Sequence, residues 1–72
     1  MKLIPITREI KKEIVLSGMS VKGYAETIGN NKEYINLVVN GKKNPSPKLA
    51  LKIADSFGRK IEDLFEIDME EE

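Results

Sequence analysis

The sequence predicts a small all-α domain of five short helices. Three observations support this prediction. Apolar residues recur at helical spacing, small polar residues precede several of the apolar runs, and glycines follow them at Gly29, Gly41 and Gly58. A chain of 72 residues is long enough for one small core. We therefore expect residues 1–72 to form a single domain.

The N-terminal residues 1–6 hold apolar side chains around Pro5, whose ring and missing N–H disfavour a helix there. We expect an extended arm that covers the core, with strand pairing across a dimer as the alternative. Thr7 is then expected to cap a first helix over about residues 8–17, with Ile14 on its buried face.

Two capped helices and a tight turn fill the next stretch. Ser20 is a candidate N-cap for a helix whose apolar positions run from Val21 to Ile28. Gly29 can end this helix at positive φ, and Asn31 can cap the following one. Two short helices around such a turn are typical of proteins that place a helix in a DNA groove.

The third helix is predicted over about residues 32–40, with Gly41 as its C-terminal stop. Ile35 and Val38 give it an inward face. The residues expected to point outward from its first turns are Lys32, Glu33, Asn36 and Leu37.

Ser46 and Pro47 open a predicted fourth helix, because a capping hydroxyl followed by proline at the first helical position is a favoured start. A short last helix is expected over residues 61–65. Residues 66–72 are expected to be a disordered, solvated acidic tail. The predicted buried stripe of the fourth helix consists of Leu49, Ala50, Ile53, Ala54 and Phe57.

The chain resembles the Cro and phage-repressor type helix-turn-helix regulators, the Xre family, over roughly residues 8–65. The resemblance implies a five-helix lambda-repressor-like domain whose third helix reads the major groove, usually as a dimer on a two-fold site. Its carriers are Ala25 and Gly29 in SVKGYAETIG, the apolar Ile35 and Val38, the segment NGKKNP at 40–45, and IADSFGRKIEDLF at 53–65.

The chain departs from the family pattern at four positions. Val21 stands where the family commonly has a glutamine that contacts phosphate, and Lys60 replaces the usual cap of the last helix. Ile14 and Val39 stand where the family has a buried Arg–Glu ion pair. Removing one charge would leave the other buried without a partner and destabilise the fold, whereas replacing both by packed apolar groups leaves the stability about the same or raises it. The paired replacement thus supports the fold and says nothing about function.

Composition excludes several classes of function. With no cysteine and no histidine, thiol chemistry, imidazole catalysis and the usual zinc sites are ruled out or disfavoured. We expect no enzyme activity, no metal, no cofactor and no small-molecule ligand. The absence of cysteine fits a reducing cytoplasm, MKLIPIT is too short for a signal segment, and no apolar run approaches the ~20 residues of a membrane span, so a cytoplasmic protein is expected.

Charge is divided unevenly along the chain. Residues 1–60 hold all 12 bases and 5 acids, a net charge of +7, while residues 61–72 hold 7 acids and no base. Such asymmetry suggests contact with nucleic acid. The acidic tail is a candidate competitor for the basic surface, and a purely solvated tail is the alternative.

Residue type suggests how the third helix would read DNA. Lys32 could donate to guanine and Asn36 could hydrogen-bond with adenine. Glu33 could accept from cytosine, and Leu37 could pack on the methyl group of thymine. The remaining candidate DNA contacts are Asn31, Lys22, Asn40, Lys42 and Lys43. In the family the loop that holds the last two lies along phosphates, and a merely solvated basic turn is the alternative.

Two functions are compatible with the sequence. The first is a sequence-specific regulator of transcription, expected to be a repressor that binds double-stranded DNA as a weak homodimer. The second is a helix-turn-helix module retained for protein binding, with weak or no DNA binding, which Val21, Leu37 and the acidic end of the chain favour.

Overall fold

A computed structural model describes residues 1–69 of the chain. The elements in order are β1 (Lys2–Pro5), α1 (Thr7–Leu16), α2 (Val21–Thr27), α3 (Lys32–Val39), α4 (Pro47–Ser56), α5 (Ile61–Leu64) and β2 (Phe65–Asp68). The prediction of five helices is confirmed, and a small two-stranded sheet is added to it. None of the helices in this part of the chain has the length and apolarity to cross a membrane.

The sheet joins the two ends of the chain. β1 and β2 are antiparallel, with Leu3 opposite Ile67 and Ile4 opposite Glu66. Leu3 is buried in the core, so the expected covering arm is confirmed, and its strand partner is β2 of the same chain. The prediction of a disordered tail is wrong for residues 66–68, because β1 supplies backbone hydrogen-bond partners for them, although Glu66 and Ile67 are exposed to solvent. Residues 70–72 of that tail lie outside the described part.

The predicted cap of the first helix is also wrong. Thr7 is the first residue of α1, and the cap position falls on Ile6, which makes no side-chain cap hydrogen bond. The N–H of Ile6 donates to the carbonyl oxygen of Leu64 at 2.8 Å, so the sheet hydrogen bonds continue up to the start of α1. Phe65, expected in the last helix, is the first residue of β2 because its backbone is extended.

One core holds all the elements together. Tyr24 of α2 stacks on Phe57 with ring centroids 4.8 Å apart. The hydroxyl of Ser56 donates to the carbonyl oxygen of Ile53, so the Tyr24 hydroxyl is the donor in its 2.6 Å hydrogen bond to Ser56. Burial raises the pKa of Tyr24, so its hydroxyl remains a donor to a higher pH than that of an exposed tyrosine. Phe57 is half-buried, and the other four residues of the predicted α4 stripe are buried.

An ion cluster ties α1 to the segment between α4 and α5. Arg59 forms ion pairs with Glu13, with Glu9 at 3.7 Å and with Asp63 at 3.5 Å. The hydrogen bond to Glu13 raises the pKa of Arg59. The lysine side chain has no acceptor and cannot cap α5, but the Asp63 carboxylate accepts the backbone N–H of Lys60 at 3.1 Å and so satisfies that donor at the start of the helix.

Gly41 should be the glycine least tolerant of substitution. It follows α3 with a φ of +74°, and a Cβ built on it would lie 3.0 Å from Cγ2 of Thr7. Gly58 follows α4 with a φ of +65° and open space around it. We expect Gly41→Ala to lower the free energy of unfolding by ~2 kcal/mol and Gly58→Ala by ~1 kcal/mol, measured by urea denaturation. Equal losses would show that the Thr7 contact has no cost.

Candidate DNA-binding surface

Local hydrogen bonds cap the starts of α2 and α3, on either side of the turn that joins them. The Ser20 hydroxyl accepts the N–H of Gly23 at 3.1 Å, and the Asn31 side-chain oxygen accepts the N–H of Tyr34 at 3.0 Å. Gly29, at a φ of +69°, lets the chain reverse after α2. Both predicted caps and the predicted turn are therefore confirmed, and they fix the direction in which α3 leaves the turn.

α3 has one buried face and one open face. Ile35, Val38 and Val39 are buried behind it, which holds the helix firmly against the rest of the domain. The helix ends at Val39, and Asn40 is its cap residue, one position earlier than predicted. All four residues expected to point outward are exposed: Lys32, Glu33, Asn36 and Leu37.

The amide side chains of this surface are already partly engaged. Asn40 donates from Nδ2 to the backbone oxygen of Asn36 at 2.8 Å and to its side-chain Oδ1 at 3.1 Å. Asn31 uses its oxygen as the α3 cap. Within residues 1–69 the two N–H donors of the Asn36 amide form no hydrogen bond, whereas Asn31 and Asn40 have structural roles in the helix.

The basic loop after α3 is held against the helix by a residue that the sequence did not single out. The Nζ atom of Lys43 lies 5.9 Å from the centroid of the half-buried Tyr34 ring. A cation at this distance from an aromatic face is attracted to it. Pro45 is buried at the far end of the loop. No local spacing in the sequence indicates the Tyr34 contact, because it forms between an α3 side chain and the loop.

The surface carries a net positive charge. Lys22, Lys32, Lys42 and Lys43 are exposed and form no ion pair within residues 1–69. Glu33 is the one acid among the nine predicted site residues. Of the other four acids in residues 1–60, Glu9 and Glu13 pair with Arg59, whereas Glu26 and Asp55 are exposed.

A groove of about 330 Å³ lies beside the open face of α3, where α1, the start of α2 and the second half of α3 meet. Ile14 and Val39 both line it, and both are almost fully buried. This agrees with the interpretation that an apolar pair occupies the place of the family ion pair. Asn36 and Asn40 line the groove on the α3 side, so it adjoins the predicted reading surface.

Comparison with known proteins gives one consistent result. A helix-turn-helix family model matches residues 10–64. An uncharacterized HTH-type transcriptional regulator of Archaeoglobus fulgidus is 46% identical over 54 residues, which are 75% of this chain and 77% of the relative. A similarly named protein of Methanocaldococcus jannaschii is 39% identical over 57 residues, 79% of this chain and 86% of the relative. No solved structure matches the chain.

Proposed function

Because this chain belongs to the helix-turn-helix family of transcriptional regulators, we propose that it is a sequence-specific repressor that places α3 in the major groove of double-stranded DNA. The observation that carries the proposal is the open face of α3, held rigidly by its buried face and by the Asn31 cap. Repression follows from occupying the site and involves no chemical step. The protein would act in the cytoplasm.

The proposal divides the surface into base contacts and backbone contacts. Lys32 donates to guanine, Asn36 pairs with adenine, and Glu33 accepts from cytosine. Lys22 together with the loop lysines Lys42 and Lys43 contacts phosphates, which position the protein without reading sequence. Asn31 and Asn40 contribute indirectly, since their amides hold the two ends of α3 and orient its side chains.

The test is a selection from random duplexes, followed by gel shifts of the preferred site and a scrambled site at several salt concentrations. We expect one enriched sequence and an affinity that falls with salt as phosphate contacts release counterions. A pool that shows no enriched sequence after repeated rounds would contradict sequence-specific binding.

Leu37 provides a separate test of the reading face. Its side chain is 41% exposed, and we propose that it packs on the methyl group of a thymine in the site. Replacing that thymine by deoxyuridine should weaken binding of the wild-type protein by ~0.8 kcal/mol, the value of one buried methyl group. The same replacement should have no effect on the Leu37→Ala variant. If both proteins respond equally to uracil, Leu37 does not contact the methyl group.

We also propose that the protein is a weak homodimer that tightens on DNA. The small core leaves Leu51, Ile67 and Met69 at 50%, 43% and 63% exposure, and a second copy could cover them. Half-sites should then lie about one helical turn apart, ~34 Å. Sedimentation velocity with and without the selected duplex measures the assembly. Monomers in solution combined with one-protomer complexes on DNA would refute the dimer.

A protein-binding module is the second candidate, and exposed apolar side chains are the observation that favours it. Val15 and Leu16 at the end of α1 are 73% and 71% exposed, and Leu37 lies open on α3. In this case the duplex selection fails while the domain remains folded. The selection therefore separates the two candidates.

A further inference from the structure

We infer that the groove between α1 and α3 is a binding site for a small molecule with an apolar body and a single carboxylate. This reverses the expectation from the sequence that no small-molecule ligand is bound, because the walls of the groove come from three separate elements and no single segment of the sequence shows them. A volume of about 330 Å³ is at the lower end of the range for small-molecule sites. At about 30 Å³ for each water-sized group, it holds roughly ten non-hydrogen atoms.

The floor and one wall of the groove are apolar. Ile14 and Val39 form the floor, and Val15, Met19 and Val21 line the sides. Val15 is 73% exposed, so burying it against a ligand would remove apolar surface from water. Because Ile14 and Val39 are both aliphatic, the base of the groove carries no charge.

The rim is a set of hydrogen-bond donors. The Ser20 oxygen already accepts from Gly23, and the Asn36 side-chain oxygen already accepts from Asn40, so both groups retain protons to donate. Lys11 is the single charged residue of the lining, and no acid faces it there. Donors and one cation around an apolar floor complement a carboxylate on an apolar body.

Occupancy of the groove would affect DNA binding, and this step depends on the proposed function. Asn36 belongs both to the groove and to the proposed reading face, so a ligand that engages its amide removes a base contact. The bound molecule would therefore act as an inducer that releases the protein from DNA.

The direct test is a titration of the free protein with octanoate, which has ten non-hydrogen atoms, followed by NMR of the isoleucine and valine methyl groups. We expect shifts confined to Ile14, Val15, Val21 and Val39, with a Kd on the order of 1 mM. Shifts spread over the whole core, or none, would overturn the inference. Because no DNA is present, the outcome does not depend on the proposed function.

Two ligand controls and one pair of variants sharpen the test. 1-Octanol should bind more weakly than octanoate, and inorganic phosphate should leave the methyl groups unchanged. Lys11→Gln should weaken octanoate about fivefold, as expected for one exposed charge contact, without affecting octanol. Lys12→Gln is the matched control, since Lys12 is paired with Glu9 outside the groove and should leave binding unchanged.

The remaining outcomes each identify another occupant. If phosphate binds as well as octanoate, the groove receives the DNA backbone and the inference fails. If the methyl shifts grow with protein concentration in the absence of ligand, a second copy covers the groove and the inference likewise fails. If octanoate binds as expected but does not reduce affinity for the selected duplex, the site stands and its inducer role is overturned.

Discussion

Replacing Val39 by glutamate is expected to lower the free energy of unfolding by ~3–5 kcal/mol, because a charge would be buried without a partner. Val39 is 1% exposed and lies on the inner face of α3. For a domain of this size such a loss is a large part of the total stability. Urea denaturation of the variant measures the loss, and Leu37→Glu on the open face of the same helix is the matched control with little expected change.

The second half of this experiment supplies a positively charged partner for the buried glutamate at position 39. Arginine at Ile14 should form an ion pair with glutamate at position 39, since both residues line one groove and the resemblance to the Xre family places an ion pair there. The double variant Ile14→Arg/Val39→Glu should be more stable than the two single losses predict, with a coupling of ~1–3 kcal/mol. Additive losses would mean that these two positions do not correspond to the family pair.

Alanine at Lys32 or Asn36 is expected to weaken binding to the selected duplex by ~1–3 kcal/mol each, because each substitution removes donors that we propose contact a base. Folding should be unaffected. When Asn36 is replaced, Asn40 keeps its hydrogen bond to the backbone oxygen at position 36, which is 2.8 Å long in the native protein. Fluorescence anisotropy with the selected duplex measures the loss, and thermal denaturation checks the fold.

Specificity decides how these losses are interpreted. Random duplexes should lose much less affinity than the selected one, because base contacts carry sequence information and phosphate contacts do not. Lys12→Ala, on α1 where Lys12 is paired with Glu9, removes a charge without removing a proposed base contact and serves as the control. Equal losses on selected and random duplexes would assign Lys32 and Asn36 to the backbone.

The sequence alone determined the helix-turn-helix, because its caps and its turn depend on local interactions. The caps at Ser20, Asn31 and Ser46 and the reversal at Gly29 each involve hydrogen bonds or backbone angles within a few residues. The inward face of α3 follows from the helical period alone. The helix-turn-helix could therefore be predicted without any knowledge of long-range contacts.

Only the tertiary structure decided the features that join distant parts of the chain. Strand β2 forms because β1, at the opposite end of the chain, offers it a hydrogen-bonding edge, and the acidic composition of residues 66–68 hides this. Arg59 reaches Glu13 across 46 positions. The groove beside α3 exists where three elements meet, so no segment of the sequence contains it. Contacts of this kind depend on how packed elements approach one another, and no local pattern in the chain encodes that approach.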